Sequence, residues 1–504
     1  MKQSNWRIAA AVTRAPAHGC PGLLNSSLKS ALLVAVLFAA SAAAQAQTTS
    51  PTAPADESLT WHGITLYGIV DVDLQYETHG APFSNYFISG GSDIIQKNSN
   101  NSVFGLTSNG MSQSRIGLQG KEPLHFLEQL GFMDWSGVFK VETYFNPASG
   151  QITDALKSVT QNNGRSPAEQ STNIDSSIAG QPFEQAFVGI SSPTWGTLTY
   201  GRQNSTLADL IAKYDPQQTS YAFSLLGLSG TPAGGGDTQD RRLDGSIKYV
   251  GNIFNMVHVG LQYKTQGSSA ENYATGGTGE AFSAFEVSLG AEYAGASADV
   301  FYTKVKDAVS VSTLSAAQVG ELPALGLSSQ NSVSGTISDN ASFGVMASYD
   351  LGPVLPVVPV VVYGGYEHIT YMNPSINLAP GFDDIGGYKL GAVSNTAYVD
   401  ADKILQVYWV GGRYAVTPQF TAAVAYYGEK QNAYAVGADA NCSNVASGKC
   451  SGHFNAISVS LDYHFSKRFD SYAGVMWSNV SHGLAFDYIN TTMFDPTIGV
   501  RFSF

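Results

Sequence analysis

Ile498-Gly499-Val500-Arg501-Phe502-Ser503-Phe504, the last seven residues of a 504-residue sequence, put apolar side chains on even positions and small or polar ones on odd positions, with Phe504 apolar at the close. A period of two assigns Ile498, Val500, Phe502 and Phe504 to one face of a β-strand and Gly499, Arg501 and Ser503 to the other. Chain ends fray in water unless something holds them, so this strand is expected to lie clamped between neighbours. An edge strand of a soluble sandwich suits these residues. So does a strand of a membrane barrel, with lipid on one face and a polar lumen on the other.

The rest of the sequence separates the two. Alternating segments fall at 63–77, 112–121, 137–146, 183–191, 197–203, 242–250, 256–264 and 284–293. Eight more fall at 297–306, 342–350, 359–371, 403–414, 419–430, 454–465, 469–479 and 493–504. In the first, Leu66, Val70, Val72, Leu74 and Tyr76 oppose Asp71, Asp73 and Gln75. In the second, Ser114, Ile116 and Leu118 oppose Arg115, Gln119 and Lys121. In the sixth, Leu243, Ile247 and Tyr249 are expected outside, and Arg242, Asp244, Ser246 and Lys248 inside. Connections after the even-numbered segments are short and the others long, the rhythm of a transmembrane barrel with turns on one side and loops on the other. The expected fold is therefore all-β: a sixteen-stranded antiparallel transmembrane β-barrel, wide enough for an aqueous channel. An even count returns both termini to one side, expected to be periplasmic. Tyr67, Tyr76, Tyr144, Tyr249, Tyr263, Tyr293, Tyr349, Tyr371, Tyr414, Tyr463 and Phe465 are expected in the two interfacial girdles.

Composition agrees. Only 13% of residues are charged, 53 are Gly, and mean hydropathy is −0.04. The most apolar stretch of the barrel region, 354–362, is broken by Pro356 and Pro359, so no helical span is expected there. Such mild hydropathy suits a membrane protein only as a barrel, because lumen-facing residues dilute each strand. At the start, Lys2, Arg7, Arg14 and Lys29 lead into an apolar run at 31–40 and then Ala44-Gln45-Ala46. This reads as a secretory signal over residues 1–46, followed by a Thr/Pro/Ala/Ser-rich periplasmic extension at 47–60 and the barrel at 61–504. The whole chain carries a net charge of −13 and its leader only basic residues, so the remainder is more acidic still. That argues against nucleic acid as a partner. Cys442 and Cys450, exported to an oxidising compartment and separated by a short Ser/Gly/Asn-rich stretch, are expected to form a disulfide. A metal pair with His453 is the alternative, but it lacks further ligands nearby, and no metal or cofactor is expected.

Several pieces carry a family resemblance: Leu66-Tyr67-Gly68, Ser114-Arg115-Ile116-Gly117-Leu118-Gln119-Gly120, Ala186-Phe187-Val188-Gly189-Ile190, the run from Trp195 to Arg202, the run from Arg242 to Tyr249, and the terminal strand. In this order along the chain they resemble the trimeric general porins of the Gram-negative outer membrane. The resemblance implies a homotrimer in contact with lipid and lipopolysaccharide, inserted by the outer-membrane assembly machinery and passing small hydrophilic solutes. It also implies that the third external loop, here 204–241, folds inward as an acidic face opposite a basic wall. In that loop stand Asp209, Asp215, Asp237 and Asp240; Ala233 and Gly234 replace the Glu and Phe common in the family's Pro-Glu-Phe-Gly-Gly-Asp turn. For the wall, the resemblance and strand parity both select Arg115 and Arg242, with Arg202 and Lys248 as weaker members. Glu184 occupies a position where the family often has Arg. Lys264 and Arg413 read as solvated residues of the wet face. In the resembling family the alternate apolar residues Ile498, Val500, Phe502 and Phe504 are also what the assembly machinery reads.

The expected function is passive diffusion with a weak cation preference, drawn from the acidic balance and Glu184. A substrate-selective channel is the second reading. A barrel enzyme is the third, and it is disfavoured because the histidines are scattered and no Gly-x-Ser-x-Gly elbow occurs.

Overall fold

The computed structural model describes residues 59–78, 102–145, 147, 183–226, 242–254, 256–264, 283–313, 333–355, 358–373, 384–385, 388–389, 392–395, 402–434, 450–485 and 490–504. Sixteen long strands dominate. The first six are β1 (Ile64–Glu77), β2 (Arg115–Pro123), β3 (Ser136–Tyr144), β4 (Gln185–Ser192), β5 (Gly196–Asn204) and β6 (Arg242–Ile253). Next come β7 (Val257–Lys264), β8 (Ser283–Tyr293), β9 (Ala296–Thr313), β10 (Val333–Asp350) and β11 (Val360–Met372). The last five are β12 (Lys403–Thr417), β13 (Phe420–Gln431), β14 (Gly452–His464), β15 (Phe469–His482) and β16 (Thr492–Ser503).

Each strand pairs antiparallel with the next. β16 returns to β1 in a register running from Ile69↔Ser503 to Gln75↔Thr497, which closes the sheet and removes its edges. At the seam Gly68 and Phe504 exchange backbone hydrogen bonds of 2.9 and 3.0 Å. The Phe504 ring covers Gly68 so closely that a Cβ there would stand 2.4 Å from Cζ, so only glycine fits. Short connections at 193–195, 254–256, 294–295, 418–419 and 465–468 mark one end of the barrel, where β1 begins and β16 ends. The connection 124–135 at that end carries a one-turn helix, α1 (His125–Glu128). Three short pieces extend the sheet: Thr60–Trp61 and Val103–Ser108 on β1, and Ala392–Asn395 parallel to β10.

The two faces of the sheet invert the arrangement of a soluble protein. On β16 Ile498, Val500 and Phe502 are 38–43% exposed, while Gly499 and Arg501 face inward. On β1 Leu66 and Leu74 are exposed, whereas Asp71, Asp73 and Glu77 are almost fully enclosed. Pairing of each strand with its two neighbours uses the backbone groups of the wall within the ladder, apart from register breaks at Gly201/Gln203, Val305/Ala308 and Ala415/Thr417, and this is what lets an apolar outer band meet hydrocarbon.

Three sequence expectations are corrected. The second strand starts at Arg115, because Asn109–Ser114 leaves the wall and turns inward, and Ser114, expected outside, is fully buried. In β6 Leu243 faces inward against Ala284 and Val305, because a bulge between Gly201 and Gln203 and the positive φ of Gly245 (55°) shift the alternation. Tyr67, Tyr144 and Tyr371 face the interior rather than a girdle: Tyr67 bonds to Glu142, and the other two are about 5% and 1% exposed. Tyr263, Tyr293, Tyr414 and Phe465 are exposed outside as expected.

Candidate functional site

The enclosed polar face divides into two regions. Along β7 to β15 it is covered by residues 205–226, the described part of the connection after β5. That connection begins at 205, one residue later than expected. It starts with helix α2 (Thr206–Tyr214), capped by Ser205, whose hydroxyl accepts the Ala208 N–H at 3.0 Å. Glu286 of β8 accepts the N–H groups of Thr206 (2.5 Å) and Leu207 (3.3 Å), placing a carboxylate where a helix start leaves donors unpaired. Leu207, Leu210, Ile211 and Tyr214 form the helix stripe that packs on inward Phe301, Met346, Ile369, Tyr371 and Trp409.

Beyond the helix the chain is tied strand by strand. Trp409 Nε1 donates to the Tyr214 carbonyl at 3.0 Å, Arg413 Nη1 donates to the Pro216 carbonyl at 3.1 Å, and Gln217 bridges the Ser458 and Ser460 hydroxyls of β14. Asp215 is the centre of this anchorage. It accepts from the Tyr427 and Ser224 hydroxyls and the Thr219 N–H at 2.6 Å each, and from the Gln217 N–H at 3.1 Å. Burial pushes its carboxyl above the usual range, against the pull of those four donors. Asp215 is therefore a buried anchor, 1% exposed, not an acid facing a passage. The far end of the segment meets the other inward piece of chain, where the Ala222 N–H donates to the Gly110 carbonyl at 2.9 Å. Phe223 and Met111 share a small cluster with Tyr472. Residues 110–112 in turn donate backbone N–H groups to the carboxylates of Asp71 and Asp73, so that β1 holds them in place.

Along β1 to β6 the inward side chains form charged groups of their own. Glu142 of β3 gathers Tyr67 (2.8 Å), Gln185 (2.9 Å), Lys140 (3.4 Å) and Arg115 (3.8 Å). Arg115 keeps a third of its side chain exposed there. Arg242 stacks on the Tyr144 ring at 4.7 Å and donates to its hydroxyl, while its Nε lies 3.4 Å from Glu184. Arg202 approaches the same carboxylate at 3.7 Å. Glu184 is thus hidden between two arginines, so its charge is met locally instead of being presented to the passage. Lys248 is held by Asp209 and the Asn204 carbonyl at the start of the covering segment.

Of the residues picked from sequence, Arg115, Glu184, Arg202 and Arg242 come together on this wall, and Lys248 meets Asp209. Asp237 and Asp240 lie outside the described residues. So does Cys442; Cys450 is disulfide-bonded. Lys264 is buried and Arg413 is tied to Pro216, so neither is the solvated residue expected. Sequence reasoning missed Lys140 and Glu142 and put Tyr144 in a girdle instead, although their spacing of two on β3 was the available signal. Among the described residues one group of possible metal ligands occurs, Asp462, His464 and Asp470, with ligand atoms within 4.8 Å. Arg501 sits among them, its guanidinium 3.2 Å from Asp462 and 3.1 Å from Asp470, so a fixed cation already meets both carboxylates.

A closed sheet with a lipid-compatible exterior and a polar interior defines the class of transmembrane β-barrels. Within that class the chain belongs to the Gram-negative porin family, whose model matches residues 31–483. It is 27% identical over 203 residues to an outer membrane porin protein of Bordetella pertussis, a match spanning two fifths (40%) of each chain. Among solved structures it is similar to the anion-selective porin of Comamonas acidovorans, with a TM-score of 0.54, 15% identity, and coverage of 88% of this chain and 99% of that one. It is also similar to OmpT, an outer membrane protein of Vibrio cholerae, with a TM-score of 0.51, 13% identity, and coverage of 89% and 100%. At these identities the structural likenesses concern the fold.

Proposed function

We propose that the protein is an outer-membrane porin through which small hydrophilic solutes and ions diffuse passively. The observation that carries this is the division of the lumen. Residues 205–226 fill the β7–β15 side, which leaves the passage bounded by the β1–β6 wall with Arg115 and Lys140 on it. Covering segment and charged wall together narrow the bore and set a transverse field, which orients dipolar solutes and ranks ions.

The acid surplus of the sequence argues for cations, but the placement of most of the described inward carboxylates argues the other way; Asp209, half exposed, is paired with Lys248. Asp71, Asp73, Glu77, Glu142, Glu184, Asp215, Glu286, Asp299 and Glu367 are all nearly fully enclosed. Among the described residues the charges left facing the passage along β2 and β3 are Arg115, Lys121 and Lys140. We therefore infer a weak anion preference. The reversal potential across a planar bilayer in a KCl gradient tests it. A sign favouring chloride supports the wall as determinant; a sign favouring potassium would restore the overall acidity.

The same reading takes residues 1–46 as a cleaved signal, 47–60 as an extension, and both termini as periplasmic. It also takes Cys442–Cys450 as the disulfide and a homotrimer, contacting lipid and lipopolysaccharide, as the assembled form. A trimer form of Vibrio cholerae OmpT has been solved, with a TM-score of 0.51 to this chain. Unheated electrophoresis in mild detergent should show a band of about three chains that collapses on boiling, and peptide mapping without reductant should link Cys442 to Cys450.

A further inference from the structure

On the β1–β5 wall, toward the end with short connections, lies a cavity of about 540 Å³. Its inward lining comes from successive strands: Thr65, Gln119, Lys121, Lys140, Phe187 and Thr197. We propose that this cavity is a binding subsite for small organic anions, a carboxylate carried on a short apolar or aromatic body, met by solutes inside the channel proposed above. The volume suits such a molecule, since small-ligand pockets run from about 300 to 1,000 Å³.

The chemistry of the lining selects the class. Lys121 makes no ion pair among the described residues. Lys140 lies 3.4 Å from Glu142, but that one carboxylate is also shared with Arg115 at 3.8 Å. The inward ionic groups here, Arg115, Lys121, Lys140 and Glu142, therefore leave a positive surplus. Glu122 on the outward parity stands at the rim, its carboxylate 3.6 Å from where a Gly63 Cβ would lie. Two hydroxyl pairs add neutral donors: Thr60 with Thr65, and Ser191 with Thr197, each at 2.8 Å. In such a pair one hydroxyl donates to the other, which leaves one O–H free to donate outward. Gln119 adds an amide.

Next to these donors stand two apolar side chains. Phe187 faces Lys140 across the β3–β4 ladder, and Val138 lies two residues before Lys140 on β3. An inorganic anion would use the donors and leave the phenyl ring idle. A neutral aromatic would use the ring and leave the ammonium idle. A carboxylate on an apolar body uses both.

The test is benzoate titrated against KCl conductance in planar bilayers, added from the short-connection side, with benzyl alcohol and benzylammonium as isosteric controls. The subsite predicts a saturable fall in conductance with benzoate and none with either control. Lys121→Gln should raise the half-blocking concentration about three-fold, the scale of an exposed ion pair. Phe187→Ser should raise it by a similar factor, about three-fold, through loss of ring contact. Lys121→Arg should retain the block. Lys430→Gln, the same charge change outside the cavity, should not alter it. A benzoate effect no larger than that of benzyl alcohol, or one untouched by both Lys121→Gln and Phe187→Ser, overturns the subsite while the KCl conductance leaves the porin reading standing. Absence of any KCl conductance overturns the porin reading and the subsite with it.

Discussion

Between β1 and β6 the inward side chains Arg115, Lys121 and Lys140 are only partly covered by the described residues, whereas between β8 and β15 Glu286, Asp299, Trp409 and Tyr427 are taken up by residues 205–226. Both stretches belong to one closed sheet and, outside the bulge beside Gly201, both follow the same period of two. Strand parity therefore says which way a side chain points, but not what it meets. The charge of a porin wall follows from what is left uncovered, so the proposed anion preference of this acidic chain rests on which side chains the covering segment leaves exposed.

The sharpest way to break this contrast is to release the covering segment. Asp215→Ala leaves the Tyr427 and Ser224 hydroxyls and two backbone N–H groups without their acceptor, at about 3 kcal/mol. Residues 215–226 should lose protection from hydrogen exchange and single-channel conductance should rise; unchanged exchange would remove Asp215 from the anchorage. Arg242→Ala comes next. It leaves the buried Glu184 with Arg202 alone, at about 2 kcal/mol, so the loss should appear as an earlier heat-induced shift of the barrel band in electrophoresis. If Arg242→Ala instead widened the pore without affecting stability, the residue would belong to the passage as its parity first suggested.

Glu286→Gln weakens the charge-assisted hold on the start of α2 by about 1 kcal/mol. Faster exchange at the Thr206 and Leu207 amides alone would confirm that the effect is local. Arg115→Ala should cost least in stability, under about 1 kcal/mol, yet it should move the reversal potential toward cations. A stable variant with unmoved selectivity would strip the β1–β6 wall of its assigned role.

The strand count, the alternation of short and long connections and the outward placement of Ile498, Val500 and Phe502 were legible because lipid on one side and water on the other impose a simple period. The misread positions are those where a second contact intervenes. Leu243 could not be placed by parity because the bulge beside Gly201 shifts the count. Asn109–Ser114 reads like the approach to a strand, and its inward turn depends on Asp71 and Asp73, nearly forty residues earlier. The segment that covers half the lumen did leave a trace, since β12 is apolar on both faces: Leu405, Val407 and Trp409 inward, Val410 outward. A strand greasy on its wet side signals that something lies over it. Ser205-Thr206-Leu207-Ala208-Asp209 was the matching sign of a capped helix, hidden in a loop judged only by its acids. The arginines of the wall were found by parity and resemblance, but their partners were not, because Glu142 and Glu184 acquire their roles only when neighbouring strands align.

The seam between β1 and β16 has a kinetic side. Gln75 and Asp495, hydrogen-bonded across it, are 420 positions apart in the chain. Contacts so remote in sequence form slowly, because the loop between them must be closed before they stabilise anything. Until that last pairing is made, the first and last strands both present open ladders of N–H and C=O groups, able to template pairing with another copy. An unclosed seam is thus the form of the sheet most open to pairing with a foreign strand, and a peptide that mimics β1 or β16 would compete for the same ladder.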